Sequence, residues 1–531
     1  MKITKIKLCS LAFIMLAGIF LTACSGGSSQ DSSAAEMNET SEGGDLILAV
    51  FSDASSLDPH ASNDVPSAVV QSNIFETLVD KDEENTIVPG LAASWEAIDE
   101  LTWSFKLKEG IKFHDGTDFN AEAVKVNLER ILNPDVGSPR SNLYDMITNI
   151  EAVSEYEVEI TTEYPFSPLI AHLAHNSSGM ISPASIEQAN TDLANGDDPF
   201  NAISSNPIGT GYFQFDSWEP GAAIHLVKND NYWGEAPKVD TVEFRVVPDS
   251  QVRLADLETG NVHIIDPVQP NEVARIDASG VAKIHRQSSA SLSYIGFHNE
   301  KEPFGNPLVR QAMSHAIDRD AIISGIYEDY AIPAIGTLAP GTFGYDETLE
   351  PLGYDMEKAA ALLEEAGYED GFSTTIWTSD NPQRRAIAVL VQESLAQLGI
   401  DASIEVMEFG AYLDQTAAGE HDILIDGYSN PTGDADYQMY TLFHSSQKGE
   451  SGNLTFYENP EVDKLLEDAR RATVPEERAA IYTEAAEILT EDAPVSFLLH
   501  QEFLLGISNN IDGFEVNSAG IYNLQNVTIN N

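Results

Sequence analysis

The chain's most telling chemistry is an arginine pair in the stretch Asn381-Pro382-Gln383-Arg384-Arg385. A guanidinium is a planar fork that matches a carboxylate with two parallel hydrogen bonds, which a lysine cannot reproduce. The pair stands at the start of a predicted helix, 383–398, that follows a predicted strand, 373–378, and a basic group near a helix N-terminus opposes the helix dipole. Arginine is also scarce, since the chain has 28 Lys plus Arg against 85 Asp plus Glu. A basic pair at such a place is read as an anion anchor, the alternative being an exposed pair at the helix start. Two carboxylates, Asp434 and Asp436, stand in the loop Pro431-Thr432-Gly433-Asp434-Ala435-Asp436. They could serve as paired acids or in a calcium loop, but the sixth-position Gly and terminal Glu of an EF-hand are missing. His172 and His175 are spaced to share a helical face, yet no acids stand at a fixed spacing beside them, and no metal site is expected. The chain has no His-Glu-x-x-His, no Gly-x-Ser-x-Gly and no phosphate loop ending in Gly-Lys-Ser/Thr. Gly209-Thr210-Gly211 lacks the rest of such a loop and reads as a tight turn. The inventory suits binding, not turnover, and calls for no cofactor.

The N-terminus carries an address. Lys2, Lys5 and Lys7 precede an apolar run from Leu8 to Leu21, the order of a secretory signal and too short for a comfortable span of about 20 residues. Leu21-Thr22-Ala23-Cys24 resembles a bacterial lipobox, which implies cleavage before Cys24 and acylation of that residue, giving a membrane-tethered protein. Residues 24–45, rich in Ser, Gly and acids, are read as a flexible tether. The only cysteines are Cys9 and Cys24, so the folded part has no disulfide and no Cys-ligated metal. The formal net charge is −57, and losing the three lysines of residues 1–23 with no acid takes it to −60. That excess excludes nucleic acid as a partner and suits high-salt or alkaline surroundings.

The elements that must hold these groups are legible from periodicity. About 485 residues remain beyond the tether, more than one core can serve, so at least two lobes are expected. Leu46–Phe51 opens the fold as a strand, and Trp103–Phe113 is strand-like, turning at His114-Asp115-Gly116. Asn120 caps a helix over 121–132 whose Val124, Leu128 and Ile131 share one face. Residues 241–247 alternate as a half-buried strand. Asp355 caps a helix ending at Gly367. The succession of strand 373–378, helix 383–398 and strand 400–406 predicts a parallel α/β layer. A helix over 475–491 precedes an apolar strand, 495–499.

Several stretches together resemble one family. They are Ser56-Leu57-Asp58-Pro59-His60, the run Trp103 to Gly116 (WSFKLKEGIKFHDG), Pro207-Ile208-Gly209-Thr210-Gly211-Tyr212, Asn231-Tyr232-Trp233, and Val309-Arg310-Gln311-Ala312 with Ala316-Ile317-Asp318-Arg319. The chain is similar to the large solute-binding proteins of bacterial ABC importers that carry oligopeptides, dipeptides, glutathione or nickel complexes (family 5). The resemblance implies an α/β, two-lobed periplasmic-binding-protein-like clam (type II, cluster C) with an extra inserted domain. Lobe I would comprise 46–78, 205–298 and 497–531, the inserted domain 79–204 and lobe II 299–496. A monomer would enclose a short peptide by hinge closure and hand it to ABC permease subunits at the extracytoplasmic face. By the same resemblance Arg385 takes the ligand's terminal carboxylate, with Arg384 beside it, and Tyr428, Ser429 and Asn430 face the cleft. Dipeptide-type members place an ammonium-binding Asp where this chain has Pro431. Thr432-Gly433-Asp434-Ala435-Asp436 is close to the Thr-Gly-Glu-Ala-Asp of the glutathione-binding member, making Asp434 the substitute, near Thr432 and Asp436.

A nickel chelate, an opine or a sugar is the alternative ligand, because the fold does not fix the ligand. A surface adhesin or chaperone-like lipoprotein, needing no closing cleft, is the alternative of another class.

Overall fold

Apolar residues alternate along the strands and recur at helical spacing along the helices, and the computed structural model pairs these faces around one dominant sheet. The structure describes residues 43–62, 64–82, 85–449 and 452–530. The lipobox and most of the expected tether therefore lie outside the described residues.

The dominant sheet runs, from edge to edge, through Asp401–Met407, Ser373–Ser379, Ile423–Tyr428, Leu292–Phe297, Val495–Ser508, Ile264–Asp266, Asp45–Val50, Thr241–Val246, Ala223–Lys228 and Phe213–Glu219. Its spine is the strand Val495–Ser508, whose 14 residues span about 47 Å at the usual rise per residue. The first half of that strand pairs with Leu292–Phe297, and the second half pairs with Ala282–Ser288 and with Ile264–Ile265. Leu498, the fourth residue of that strand, is the extra residue of a bulge opposite Ser293/Tyr294, a feature that bends a strand locally. Two antiparallel segments, around Ser288–Leu292 and Leu499–Leu504, thus join the two halves of the α/β fold.

Each half has its own core. On one side Leu46, Leu48, Ile74, Phe213, Ile224, Phe244 and Leu524 are fully or nearly fully buried. On the other Ile295, Phe297, Ile376, Ile387, Val391 and Ile423 pack under the parallel strands. The parallel layer forms as the sequence predicts, with Ser373–Ser379 between Asp401–Met407 and Ile423–Tyr428. A smaller antiparallel sheet, Ala92–Ala97, Thr102–Leu107, Glu157–Thr162 and Ile147–Ser154, packs against helix Ala121–Leu132. Asn120 caps that helix through Ala123 N, as its position before the first periodic residue predicts. Arg130 on the same helix forms a bidentate pair with Asp58, at 2.6 and 3.2 Å, with both side chains buried.

The glycines of Gly209-Thr210-Gly211 serve a close approach. A Cβ on Gly209 would fall 2.1 Å from Ile74 O, and one on Gly211 would fall 2.6 Å from Asn73 O, so any side chain there would drive the loop off the segment it covers.

Candidate functional site

Between the two halves lies a cavity of about 630 Å³. One half supplies Phe51, residues near Arg253 and the stretch Asp266–Pro270, and the other supplies Tyr327, Tyr330, Asn381–Arg384 and Gly427–Ser429. Ser291–Ser293 and Gln501–Leu504, from the two connecting segments, complete the wall. The cavity thus meets the carboxyl ends of the parallel strands Ser373–Ser379 and Ile423–Tyr428, the usual place for a ligand in an open α/β layer.

Arg384 is delivered there by the start of a helix. Asn381 caps helix Pro382–Ala396, its Oδ1 accepting from Arg384 N at 3.0 Å, and Pro382 sits where no backbone donor is needed. The guanidinium Nη1 lies 2.8 Å from Asp426 Oδ1. Burial is the largest single influence and works against the charge, but Asp426 together with the Tyr412, Tyr294 and Tyr327 phenols outweighs it, and the Arg384 pKa is raised. Gly427 makes room, because a Cβ there would fall 3.1 Å from both Arg384 Nη2 and Leu292 O. Arg384 remains cationic and keeps donors for a second anion beyond those bonded to Asp426.

Arg385, expected as the carboxylate anchor, is exposed and does not line the cavity. Successive helical residues point about 100° apart, so the cap and proline that turn Arg384 inward turn its neighbour outward. Tyr428 and Ser429 do line the cavity, and the strand leaves its ladder at the Leu292–Tyr428 pair.

The loop that follows does structural work. Asn430 Oδ1 accepts from Thr432 Oγ1 at 2.9 Å and from Gly433 N at 3.1 Å, while its amide donates to Asp434 O at 2.9 Å. Asp434 caps helix Ala435–Phe443 and takes both Arg478 terminal nitrogens at 2.6 Å. Its two oxygens are committed to that buried guanidinium, and neither Asp434 nor Asp436 lines the cavity. The ammonium role expected of Asp434 does not fit this placement. Asp436 pairs with Arg470 at 2.7 and 3.1 Å and lies 3.5 Å from His172 Nε2. Burial alone would raise the Asp436 pKa, but Arg470 and His172 hold it well below the ordinary carboxylate range. His175 stacks on Tyr437 and bonds Ser177, so the histidine pair is divided between two packing tasks. Among the described residues no group of three or more His, Cys, Asp or Glu could hold a metal ion.

Several cavity groups have no sequence signature. Arg253 is pinned by carbonyls, donating to Val247 O at 2.7 Å and to Pro267 O at 2.9 Å. Asp266 accepts from the Tyr522 hydroxyl. Gln383 Nε2 donates to Gln269 Oε1 at 2.8 Å, bridging the two halves beside the cavity. These residues meet from positions far apart in the chain, and no local spacing announces them.

The match to known proteins agrees with this geometry. Residues 86–450 match the family model described as bacterial extracellular solute-binding proteins, family 5. The chain is 34% identical over 479 residues to a protein named glutathione-binding protein GsiB of Shigella dysenteriae, covering 88% of this chain and 91% of that one. Among solved structures it is similar to the ABC transporter-associated periplasmic binding protein DppA of Helicobacter pylori in complex with the peptide STSA. There the TM-score is 0.82 at 32% identity, covering 92% of this chain and 99% of that one. It also matches the oligopeptide-binding protein AppA of Bacillus subtilis in complex with a nonapeptide, with a TM-score of 0.80 at 27% identity, covering 93% of this chain and 100% of that one. The chain belongs to the family 5 bacterial extracellular solute-binding proteins, and it is a binding protein, not an enzyme.

Proposed function

We propose that this family 5 solute-binding protein captures short peptides between its halves and delivers them to an ABC importer. The observation that carries the reading is Arg384, a half-buried guanidinium at the ends of the parallel strands with donors left over from Asp426. Next to it, Gly427–Ser429 ends a strand at the cavity wall, where an extended ligand backbone would add its own hydrogen bonds. The charged side chains on the wall, Arg253 and Arg384 against Asp266 and Glu502, balance in sign, which favours a zwitterion over a ligand of large net charge. The ligand contacts are assigned to Arg384, Tyr428 and Ser429, with Asn430, Thr432, Asp434 and Asp436 holding the loop that supports them.

The working unit is read as a monomer with the lobes as outlined from the sequence: 46–78, 205–298 and 497–531 in lobe I, 79–204 inserted, and 299–496 in lobe II. Cys24 would carry the lipid that keeps it at the extracytoplasmic face of the membrane. The decisive experiment is thermal unfolding against a panel of di- to pentapeptides and glutathione. A bound ligand raises Tm as its concentration passes Kd. No shift with any of them at millimolar concentration would refute the peptide reading.

A further inference from the structure

Beside the main cavity is a second one, of about 280 Å³, walled largely by apolar side chains including Val65, Val69, Ile224, Phe244 and Val246. The two cavities share Phe51, Asp266, Pro267, Gln501 and Phe503 as common wall, so the smaller is a side chamber of the cleft. Its rim is unusual for a core void. Phe51 is 56% exposed and Val65 40% exposed, while Val69, Ile224 and Phe244 on the inner wall are buried.

Two carboxylates border this chamber, and they differ. Asp53 is consumed by the fold, since it accepts from Trp218 Nε1 at 3.1 Å, from Gly221 N at 2.7 Å and from Ala54 N at 2.9 Å. Asp266 takes the Tyr522 hydroxyl on Oδ2, and its Oδ1 has no hydrogen-bond donor among the described residues. Arg253, on the same wall, is turned to the carbonyls of Val247, Pro248 and Pro267 and makes no salt bridge to Asp266. A carboxylate left half-satisfied at the junction of a polar cleft and an apolar chamber is complementary to a cation that has an apolar group attached to it.

Resting on the peptide reading, we infer that Asp266 binds the ligand's terminal ammonium and that the chamber takes the side chain of its first residue, so that the protein selects peptides with an apolar N-terminal residue. The α-ammonium and the first side chain leave the same carbon atom, which is why one carboxylate at the mouth of one apolar chamber serves both. Arg384, on the opposite wall, then meets the other end of the ligand. Glutathione, whose first residue is acidic, is a poor fit to this chamber.

The test is calorimetric titration of the purified chain with Leu-Ala-Ala, Ala-Ala-Ala, Ala-Ala-Leu and N-acetyl-Leu-Ala-Ala. Burying a leucine side chain in the chamber should make Leu-Ala-Ala bind about 10- to 100-fold tighter than Ala-Ala-Ala, with no such gain for Ala-Ala-Leu. Val65→Trp, a change at an exposed rim position, should fill the chamber and collapse the ratio of Leu-Ala-Ala to Ala-Ala-Ala affinity towards one. Acetylation should weaken wild-type binding roughly 10- to 150-fold and have little further effect in Asp266→Asn. A preference that follows the last residue, a ratio that survives Val65→Trp, or an acetylation penalty equal in wild type and Asp266→Asn would each overturn the inference while leaving peptide capture standing. If no peptide binds the wild type at all, the peptide reading itself falls, and this inference with it.

Discussion

Removing the Arg384 guanidinium should weaken the protein's hold on a free carboxylate and should also disturb Asp426 behind it. With Nη1 at 2.8 Å from Asp426 Oδ1, the guanidinium already neutralises one buried carboxylate, and the ligand's carboxylate would be the second acceptor on the same fork. A hydrogen bond to a charged group is worth about 1.5 to 3 kcal/mol, which corresponds to roughly a 10- to 150-fold loss of affinity in Arg384→Ala. Stability falls as well, because Asp426 is 7% exposed and breaking a buried pair leaves an uncompensated charge at a cost of about 3 to 5 kcal/mol. The two effects separate in a cycle that compares a free peptide with its C-terminal amide on wild type and on Arg384→Ala, read by calorimetry. Amidation should cost the wild type most of the 10- to 150-fold and the variant little. Arg385→Ala, at an exposed position, should change affinity by less than about 0.5 kcal/mol. Equal amidation penalties in wild type and Arg384→Ala would refute the carboxylate role of Arg384.

Cys24→Ala should release the protein from the membrane fraction, and full retention of that variant would mean that something other than an acyl chain holds it. With a formal net charge of −57, self-repulsion should be relieved as the Debye length falls from about 10 Å at 0.1 M salt to about 3 Å at 1 M. Tm measured by calorimetry should therefore rise with KCl, and a flat response would remove the halophilic interpretation. The depressed Asp436 pKa means stability that is fully present above the ordinary carboxylate pKa of about 3.9 and is lost as pH falls below it towards the depressed value. Urea unfolding between pH 5 and pH 2 should show this loss in wild type and a shallower one in Asp436→Asn.

Local signals and their outcomes divide along a physical line. Caps, stops and alternation depend on neighbours in sequence, and there Asn120, Asp355, Gly367 and the parallel layer fall where the pattern puts them. The arginine pair was also legible as a functional spot, but which arginine faces the cleft depends on helical phase, set by the Asn381 cap and Pro382. Counting from a family motif pointed to Arg385, and the geometry turns Arg384 inward. The acids of the loop 430–436 leave two readings open in the sequence, a ligand contact or a cap within the loop, and the structure gives Asp434 the cap. Their partners, Arg470 and Arg478, lie more than thirty residues on, and a sequence cannot show that a carboxylate is already neutralised. Asp266 is the converse case: it lies in the unremarkable stretch Ile264-Ile265-Asp266-Pro267, and only the meeting of two cavities at its carboxylate marks it.

The distribution of ties across the cleft also bears on how the ligand enters. Segment 79–204 is bound to the first half by the buried Arg130–Asp58 pair, where one-sided loss would cost several kcal/mol. Its contacts with the second half are weaker in kind. Ser167 N donates to Arg470 O at 2.9 Å and Ser167 Oγ to Ala472 O at 2.6 Å, Lys81 reaches Pro431 O, and His172 lies 3.5 Å from Asp436. The strong Asp436–Arg470 and Asp434–Arg478 pairs join residues within the second half, so parting the halves would leave both intact. Beside the cavity, the hydrogen bond from Gln383 Nε2 to Gln269 Oε1 is neutral and worth about 0.5 to 1.5 kcal/mol. Opening about the two connecting segments would therefore break a few neutral hydrogen bonds together with the Lys81–Pro431 and His172–Asp436 contacts, while leaving the arginine–aspartate pairs intact. A ligand touching both walls can tip such an equilibrium by its own contacts, and only by its differential affinity for the two states.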